Sequence, residues 1–284
     1  MKRFAGWALT PLVAIYLAAS GYMYAAQESF IFKPDPVVKP ISEIFPSATE
    51  VQIETTEDLS LQAWHKPAVT DAPTLVMFHG NAGNLSTRPR FIDIFDNEER
   101  GVLIFSWRGF GNNPGSPSEQ GLYTDARSVL DWLNKQGVSD DQILIYGESL
   151  GSGVATQIAT ERELLGVILA APYTSIADLA KQDYPWLPVD LLLKHRFDSI
   201  DKIDQVNEPL VVLHSEDDQV IPYRLGQQLF HAANQPKRLQ SYTDRKHTGF
   251  TEEDIETAIR WIDDVLFGDK HGKALVLSKL QSAN

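Results

Sequence analysis

Gly147-Glu148-Ser149-Leu150-Gly151 sets a serine between two glycines, directly after an apolar run at 143–146 and at the start of a helical pattern. This is the context of a nucleophile elbow, a strand-to-helix turn sharp enough to hold a hydroxyl clear of its crowded neighbours. Gly153 extends the run of small residues. A glycine-rich turn with no chemistry has the same pattern, so the reading depends on partners. A serine hydroxyl is a weak nucleophile at its own pKa and needs a base. Of the seven histidines, His65 falls in an early hairpin, His79 and His214 end strands, and His195 lies in an insertion. His231 sits in a helical pattern and His271 in a polar tail. That leaves His247, in the loop 244–249 between the last apparent strand, 238–242, and a helix predicted at 252–266. Enzymes built on this elbow order the nucleophile, acid and base along the chain, which puts the base on this loop.

The acid belongs after an intervening strand. Leu210-Val211-Val212-Leu213-His214 leads into Ser215-Glu216-Asp217-Asp218, which offers three carboxylates. A pattern His-Gly-x-x-Asp-x-x-Val-Pro fits 214–222, with Ser215 in the glycine place and Ile221 in the valine place, and it selects Asp218; Asp217 is the alternative. Its task is to hold His247 in the tautomer that accepts the Ser149 proton and to stabilise the resulting imidazolium. An oxyanion hole requires two backbone N–H groups, one from the residue after the nucleophile and one from a loop after an earlier strand. Leu150 supplies the first, and Asn81 in His79-Gly80-Asn81-Ala82-Gly83-Asn84 the second. Removing one such donor typically costs ~10²–10³ in turnover.

These residues need a scaffold that brings distant loops to one edge. Short apolar runs at 74–78, 102–105, 142–146, 166–169 and 209–213 lack the alternation of half-wet strands and read as buried parallel strands. Helical patterns at 121–135, 150–160 and 223–233 separate them, so a parallel sheet with helices on both faces is expected. Glu50–Thr55 and Leu59–Trp64 read as a hairpin around Glu57-Asp58. The stretch 172–208 is too long for a simple crossover and reads as a small cap. Its apolar run, Trp186-Leu187-Pro188-Val189 and Leu191-Leu192-Leu193, could line an acyl pocket or form ordinary cap core.

The 284 residues carry 25 Lys plus Arg against 38 Asp plus Glu, a formal charge of −13, which repels phosphate backbones and argues against a nucleic-acid partner. There is no cysteine, hence no disulfide, thiolate zinc site or cysteine nucleophile. With no HExxH, no GxGxxG after a strand and no Walker loop, no metal or other cofactor is implied. Charges are absent from Phe4 to Ala26, long enough as a helix to cross a ~30 Å hydrocarbon core. Lys2 and Arg3 precede this stretch, with Trp7 near one end and Tyr22 and Tyr24 near the other. A single-pass anchor is expected, with the body on the non-cytoplasmic side, the periplasmic face of the inner membrane in a bacterium. A cleaved signal peptide with small residues around Ala18 to Ser20 is the competing reading, disfavoured by the length of the apolar stretch. The organisation that follows is an anchor at 1–26, a proline-spaced linker at 27–48 (Pro34, Pro36, Pro40), a catalytic domain at 49–267 and a polar tail at 268–284.

Several motifs give the chain a resemblance to the α/β-hydrolase superfamily. They are His79-Gly80-Asn81-Ala82-Gly83-Asn84, Arg108-Gly109-Phe110-Gly111 followed by Gly115-Ser116-Pro117-Ser118-Glu119, Tyr146-Gly147-Glu148-Ser149-Leu150-Gly151-Ser152-Gly153, and Tyr184-Pro185-Trp186-Leu187-Pro188. Within the superfamily they resemble the membrane-anchored, bud-emergence-protein-like branch also labelled serine-aminopeptidase-like. Trp107 stands where relatives more often have tyrosine, and Ser215 where they have glycine. The resemblance implies an α/β-hydrolase fold and a Ser149–Asp218–His247 triad cleaving a small-molecule or lipid acyl ester or thioester. Peptidase or amidase chemistry on the same triad is one alternative, and a non-catalytic binding protein on this fold is the other.

Overall fold

The computed structural model describes residues 4–69, 72–96 and 99–268. Its centre is an eight-stranded sheet: β1 Thr49–Glu54, β2 Ser60–Lys66, β3 Thr74–Phe78, β4 Gly101–Phe105, β5 Ile143–Glu148, β6 Gly166–Ala170, β7 Leu210–Ser215 and β8 Lys237–Tyr242. The spatial order is β8-β7-β6-β5-β3-β4-β2-β1. From β4 to β8 every pairing is parallel; β2 runs antiparallel to both β1 and β4. Besides a single helical turn at Ile41–Ile44, the α-helices are α1 Phe4–Ile31, α2 Pro89–Phe95, α3 Glu119–Lys135, α4 Leu150–Ala159, α5 Ile176–Asp183, α6 Val189–Leu192, α7 Tyr223–Ala232 and α8 Glu252–Phe267.

Successive side chains of a strand point to opposite faces, so a strand covered on both sides must be apolar throughout. β3, β4 and β6 are buried at every position. Val76, Phe78, Leu103, Ile145 and Val212 pack on one face with Leu122 of α3, Val154 of α4 and Leu225 of α7. Leu75, Met77, Ile104, Leu144 and Leu213 pack on the other, with Ile255 and Ile259 of α8. Elements keep their predicted places, with ends moved by a residue or two: β5 reaches Glu148, and α3 starts at Glu119, where the Ser118 side chain accepts the Gly121 N–H as an N-cap.

Arg108 of the Arg-Gly-Phe-Gly motif is structural. Its backbone N–H, Nε and Nη2 all donate to the buried Asp125 of α3, at 2.9, 3.0 and 2.8 Å, and Nη1 bonds Glu57 of the first hairpin. Burial of both partners makes this pairing costly to break.

The amino-terminal segment departs from expectation. α1 continues beyond Ala26 to Ile31. The proline-spaced stretch after it is not a free spacer: Lys33-Pro34 pairs in parallel with Ala82-Gly83, the Asn84 amide donates to the Asp35 and Val37 carbonyls, and Phe32 and Phe45 are buried. Burying such a side chain is worth roughly 1.5–3 kcal/mol over leaving it exposed, which holds the stretch down. Among the described residues no helix is long and apolar enough to cross a membrane. From Pro11 onward, α1 mixes apolar residues with Gln27 and Glu28. Lys2, Arg3 and the side chains of residues 4–10, Trp7 included, lie outside the described residues, as does the tail from 269 onward.

Candidate active site

In an open parallel sheet the carboxyl ends of the strands face one edge, and ligands bind there. Ser149 follows β5, Asp218 follows β7, His247 follows β8 and Asn81 follows β3, so four loops converge.

Ser149 has φ 51° and ψ −117°, a strained conformation for a residue with a side chain. Close packing around it demands the flanking glycines. A Cβ on Gly147 would come within 2.6 Å of the Ala155 Cβ, and one on Gly151 within 1.9 Å of the Phe78 carbonyl oxygen. The Ser149 N–H is fixed by the Ala170 carbonyl at 2.9 Å. Glu148, next to the serine, is half-buried and lies 3.9 Å from the Arg88 guanidinium.

His247 lies between Ser149 and Asp218. Its Nε2 is 3.0 Å from Ser149 Oγ and its Nδ1 is 2.8 Å from Asp218 Oδ2. With the proton on Nδ1 donated to the carboxylate, Nε2 is free to accept from the hydroxyl. The other Asp218 oxygen accepts the Val220 and Ile221 N–H groups at 2.8 and 2.9 Å. Burial alone would raise the pKa of this carboxyl; hydrogen bonds from His214, His247 and the Ile221 N–H, together with the charge His247 can carry, outweigh burial and hold it well below the usual range.

Asp217, the alternative acid, points elsewhere. Its Oδ1 accepts from the Lys246 N–H at 3.1 Å and from the Ser215 hydroxyl at 2.5 Å. Ser215 Oγ also accepts the Arg245 N–H at 3.1 Å and lies 3.1 Å from the Tyr242 carbonyl. The serine in the glycine place thus ties the end of β7 to the end of β8 and to the loop carrying His247.

Two discounted histidines support this edge. His214 is fully buried beneath Asp218, its Nε2 3.0 Å from the Ile221 carbonyl and 3.4 Å from Asp218 Oδ2. His79 is fully buried at the start of the Asn81 loop, with Nδ1 2.8 Å from the Gly80 carbonyl. The Trp107 indole N–H donates to the His79 carbonyl at 3.0 Å. Burial, reinforced by the nearby Arg88 charge, pushes the His79 pKa down to about 3. Position alone had marked both as ends of strands; a histidine ending an apolar strand next to a candidate loop was the available signal.

Leu150 is the first residue of α4, whose amino-terminal N–H groups are unpaired by helix geometry. Neither its N–H nor that of Asn81 donates to a hydrogen bond among the described residues. Both residues line a cavity of about 360 Å³ that also reaches Ser149. From the cap, Leu187, Val189, Leu192 and Leu193 face the cavity, while Trp186 and Leu191 are 48% and 81% exposed. The apolar run therefore divides between lining and outer surface. Ile176, Leu179 and Ala180 of α5 and Val220 and Ile221 after β7 also line the cavity, and a further wall is the end of α1, including Met23, Gln27 and Phe30, residues set apart from the fold by the sequence reading. Their helical spacing, with a glutamine closing an apolar run, was the only trace of this role. Among the described residues no cluster of three or more His, Asp or Glu side chains is arranged to hold a metal ion.

Residues 73–197 match a family described as alpha/beta hydrolase fold. An uncharacterised protein of Mycobacterium tuberculosis is 36% identical over 236 residues, covering 80% of this chain and 84% of that protein. A lysophosphatidylserine lipase, ABHD12, of Xenopus tropicalis is 31% identical over 229 residues, covering 67% of this chain but only 59% of the lipase. The solved structure of an esterase from Pyrococcus furiosus superposes with a TM-score of 0.67, covering 82% of this chain and 96% of that one at 17% identity, which is a likeness of fold alone.

Proposed function

Because the chain belongs to the α/β-hydrolase superfamily, we propose that it is a serine hydrolase cleaving acyl ester or thioester bonds, with a single-chain lipid as the favoured substrate class. The observation that carries this reading is the unbroken hydrogen-bond chain from Asp218 through His247 to Ser149. In the proposed cycle Ser149 Oγ attacks the acyl carbonyl carbon while His247 Nε2 takes the hydroxyl proton. Asp218 keeps the imidazole oriented and stabilises its charged form. The N–H groups of Leu150 and Asn81 receive the negative charge that develops on the carbonyl oxygen. Collapse of the tetrahedral intermediate breaks the bond to the alcohol or thiol, which leaves with the proton from His247. Water, deprotonated by the same nitrogen, then attacks the acyl-serine, and release of the carboxylic acid restores the Ser149 hydroxyl.

The apolar cavity wall favours an acyl chain over a peptide, and the lipase activity named for the ABHD12 relative is consistent with that preference. The proposal includes attachment to a membrane through the amino-terminal part of α1. It rests on the charge-free stretch Phe4–Ala26 and on the exposure of Leu12, Ile15 and Leu17 along α1.

The test is to label the full-length protein in detergent with a fluorophosphonate probe and to assay p-nitrophenyl esters from acetyl to palmitoyl. Labelling and turnover are expected in the wild type. Both should be absent from Ser149→Ala, with turnover reduced on the order of 10⁶-fold. A folded wild type that neither labels nor turns over any ester rejects the hydrolase reading in favour of a non-catalytic binding protein.

A further inference from the structure

The end of α1 touches both halves of the cavity. On one side the Asn81 side-chain amide donates to the Ile31 carbonyl at 3.0 Å, and the Lys33 N–H donates to the Asn81 carbonyl at 2.8 Å. On the other side Gln27, only 7% exposed, reaches the cap: its Oε1 accepts the Lys194 N–H at 2.7 Å, and its Nε2 donates to the Leu192 carbonyl at 3.1 Å. The same Nε2 donates to the Tyr24 carbonyl within α1 at 2.8 Å.

These cap partners have a physical need of Gln27. Leu192 and Lys194 sit at the carboxyl end of α6, a helix of four residues that cannot satisfy its own terminal groups. A side chain from 165 positions away in sequence engages one terminal carbonyl and one flanking amide. A glutamine buried in an otherwise apolar run is costly unless both ends of its carboxamide are bonded, and here they are. The seam is extended by the Tyr16 ring edge-on to Trp186 at 6.3 Å and by the Lys194 ammonium 4.6 Å from the centre of the Tyr24 ring.

We propose that α1 is the third wall of the acyl cavity and that Gln27, bridging it to the cap at Leu192 and Lys194, is a positioning residue for acyl-chain selection. This inference rests on the serine-hydrolase reading and adds to it a determinant of specificity. The direction of the chain follows from the geometry. Ile31 is bonded to the Asn81 loop beside Ser149, and Met23 lines the same cavity eight residues earlier, about 12 Å along the helix at ~1.5 Å per residue. An acetyl group remains at the Ser149 end; a medium-length acyl chain lying along α1 passes the Gln27 seam and approaches Met23.

The experiment uses full-length protein in detergent and reads the ratio of kcat/KM for p-nitrophenyl decanoate to that for p-nitrophenyl acetate. Gln27→Leu, which removes both bridging bonds, should lower this ratio at least tenfold, mostly through KM for decanoate. Gln27→Glu retains the acceptor for the Lys194 N–H and should recover part of the ratio. Met23→Trp, which fills the far end without touching the bridge, should move the optimum to shorter chains. If the ratio in Gln27→Leu and the optimum in Met23→Trp both match the wild type, however far the absolute rates fall, the inference is overturned and Gln27 is a packing residue only. A wild type without labelling or ester turnover instead removes the hydrolase reading, and the inference with it.

Discussion

The edge carrying Ser149, Asp218 and His247 and the wall facing it across the cavity are held together by different means. At the edge, short buried hydrogen bonds leave little slack: Asp218 is 6% exposed and has partners on both oxygens, and Ser149 is held in a strained backbone by parallel strands on either side. The wall consists of short helices and the end of α1, joined by the Gln27 bridge and aromatic contacts, with large apolar groups such as Trp186 left at the surface. Chemistry tolerates misplacement poorly, since about 1 Å can cost ~10²-fold in rate, whereas a pocket for an apolar chain discriminates by only about 1–3 kcal/mol per methylene. The strictly positioned groups therefore sit on the sheet, and the adaptable surface sits on segments that can repack.

The largest effect expected at the edge separates neighbouring carboxylates. Asp218→Asn should lower kcat by on the order of 10⁴, because an amide no longer holds the imidazole in the useful tautomer. Asp217→Asn should cost less than about tenfold, because the amide oxygen still accepts from the Lys246 N–H and the Ser215 hydroxyl. Steady-state kinetics on the two variants measure this contrast, and the reverse order would place the wrong oxygen against His247.

A second prediction concerns acid. Native His79 stays neutral down to about pH 3, whereas an unfolded histidine takes up a proton near its ordinary ~6.5. The stability it contributes is complete above that unfolded value and declines as the pH falls toward 3, at up to about 1.4 kcal/mol per pH unit. Asp218 adds a further loss below about pH 4, where the unfolded carboxyl protonates before the native one. Urea unfolding at pH 7, 5.5 and 4.5 should therefore show a shallower pH dependence for His79→Gln than for the wild type.

Ser215→Ala should cost about 1–3 kcal/mol, because it removes the acceptor of the Arg245 N–H and the donor to Asp217 at a buried position. Urea titration measures that loss. Leu191→Ala on the cap, where the side chain is 81% exposed, should change the unfolding free energy by no more than about 0.5 kcal/mol. Equal losses at the two positions would erase the distinction between edge and wall.

Much of the edge was legible from the chain. A serine between obligatory glycines after an apolar strand, followed in order by an acidic turn and a loop histidine, singled out Ser149, Asp218 and His247, and these are the side chains found in hydrogen-bond contact. Choosing Asp218 over Asp217 required the longer pattern ending at Pro222, because adjacent carboxylates differ in direction rather than in kind. The supporting polar groups were harder to read. Ser215 meets Tyr242 of β8, His214 the Ile221 carbonyl and His79 the Trp107 indole, and a sequence does not show which groups approach a given position.

By itself the sequence determined the strands, the order of the candidate site residues along them and the exclusion of cysteine chemistry, since each follows from local periodicity, turn chemistry or composition. Only the tertiary structure decided that the end of α1 and the proline-spaced stretch after it belong to the body and that Gln27 closes the cavity against the cap. The physical reason is one of range. An apolar helix near a terminus has the same local pattern whether it meets lipid or protein, and only contacts across 165 positions of chain distinguish the two.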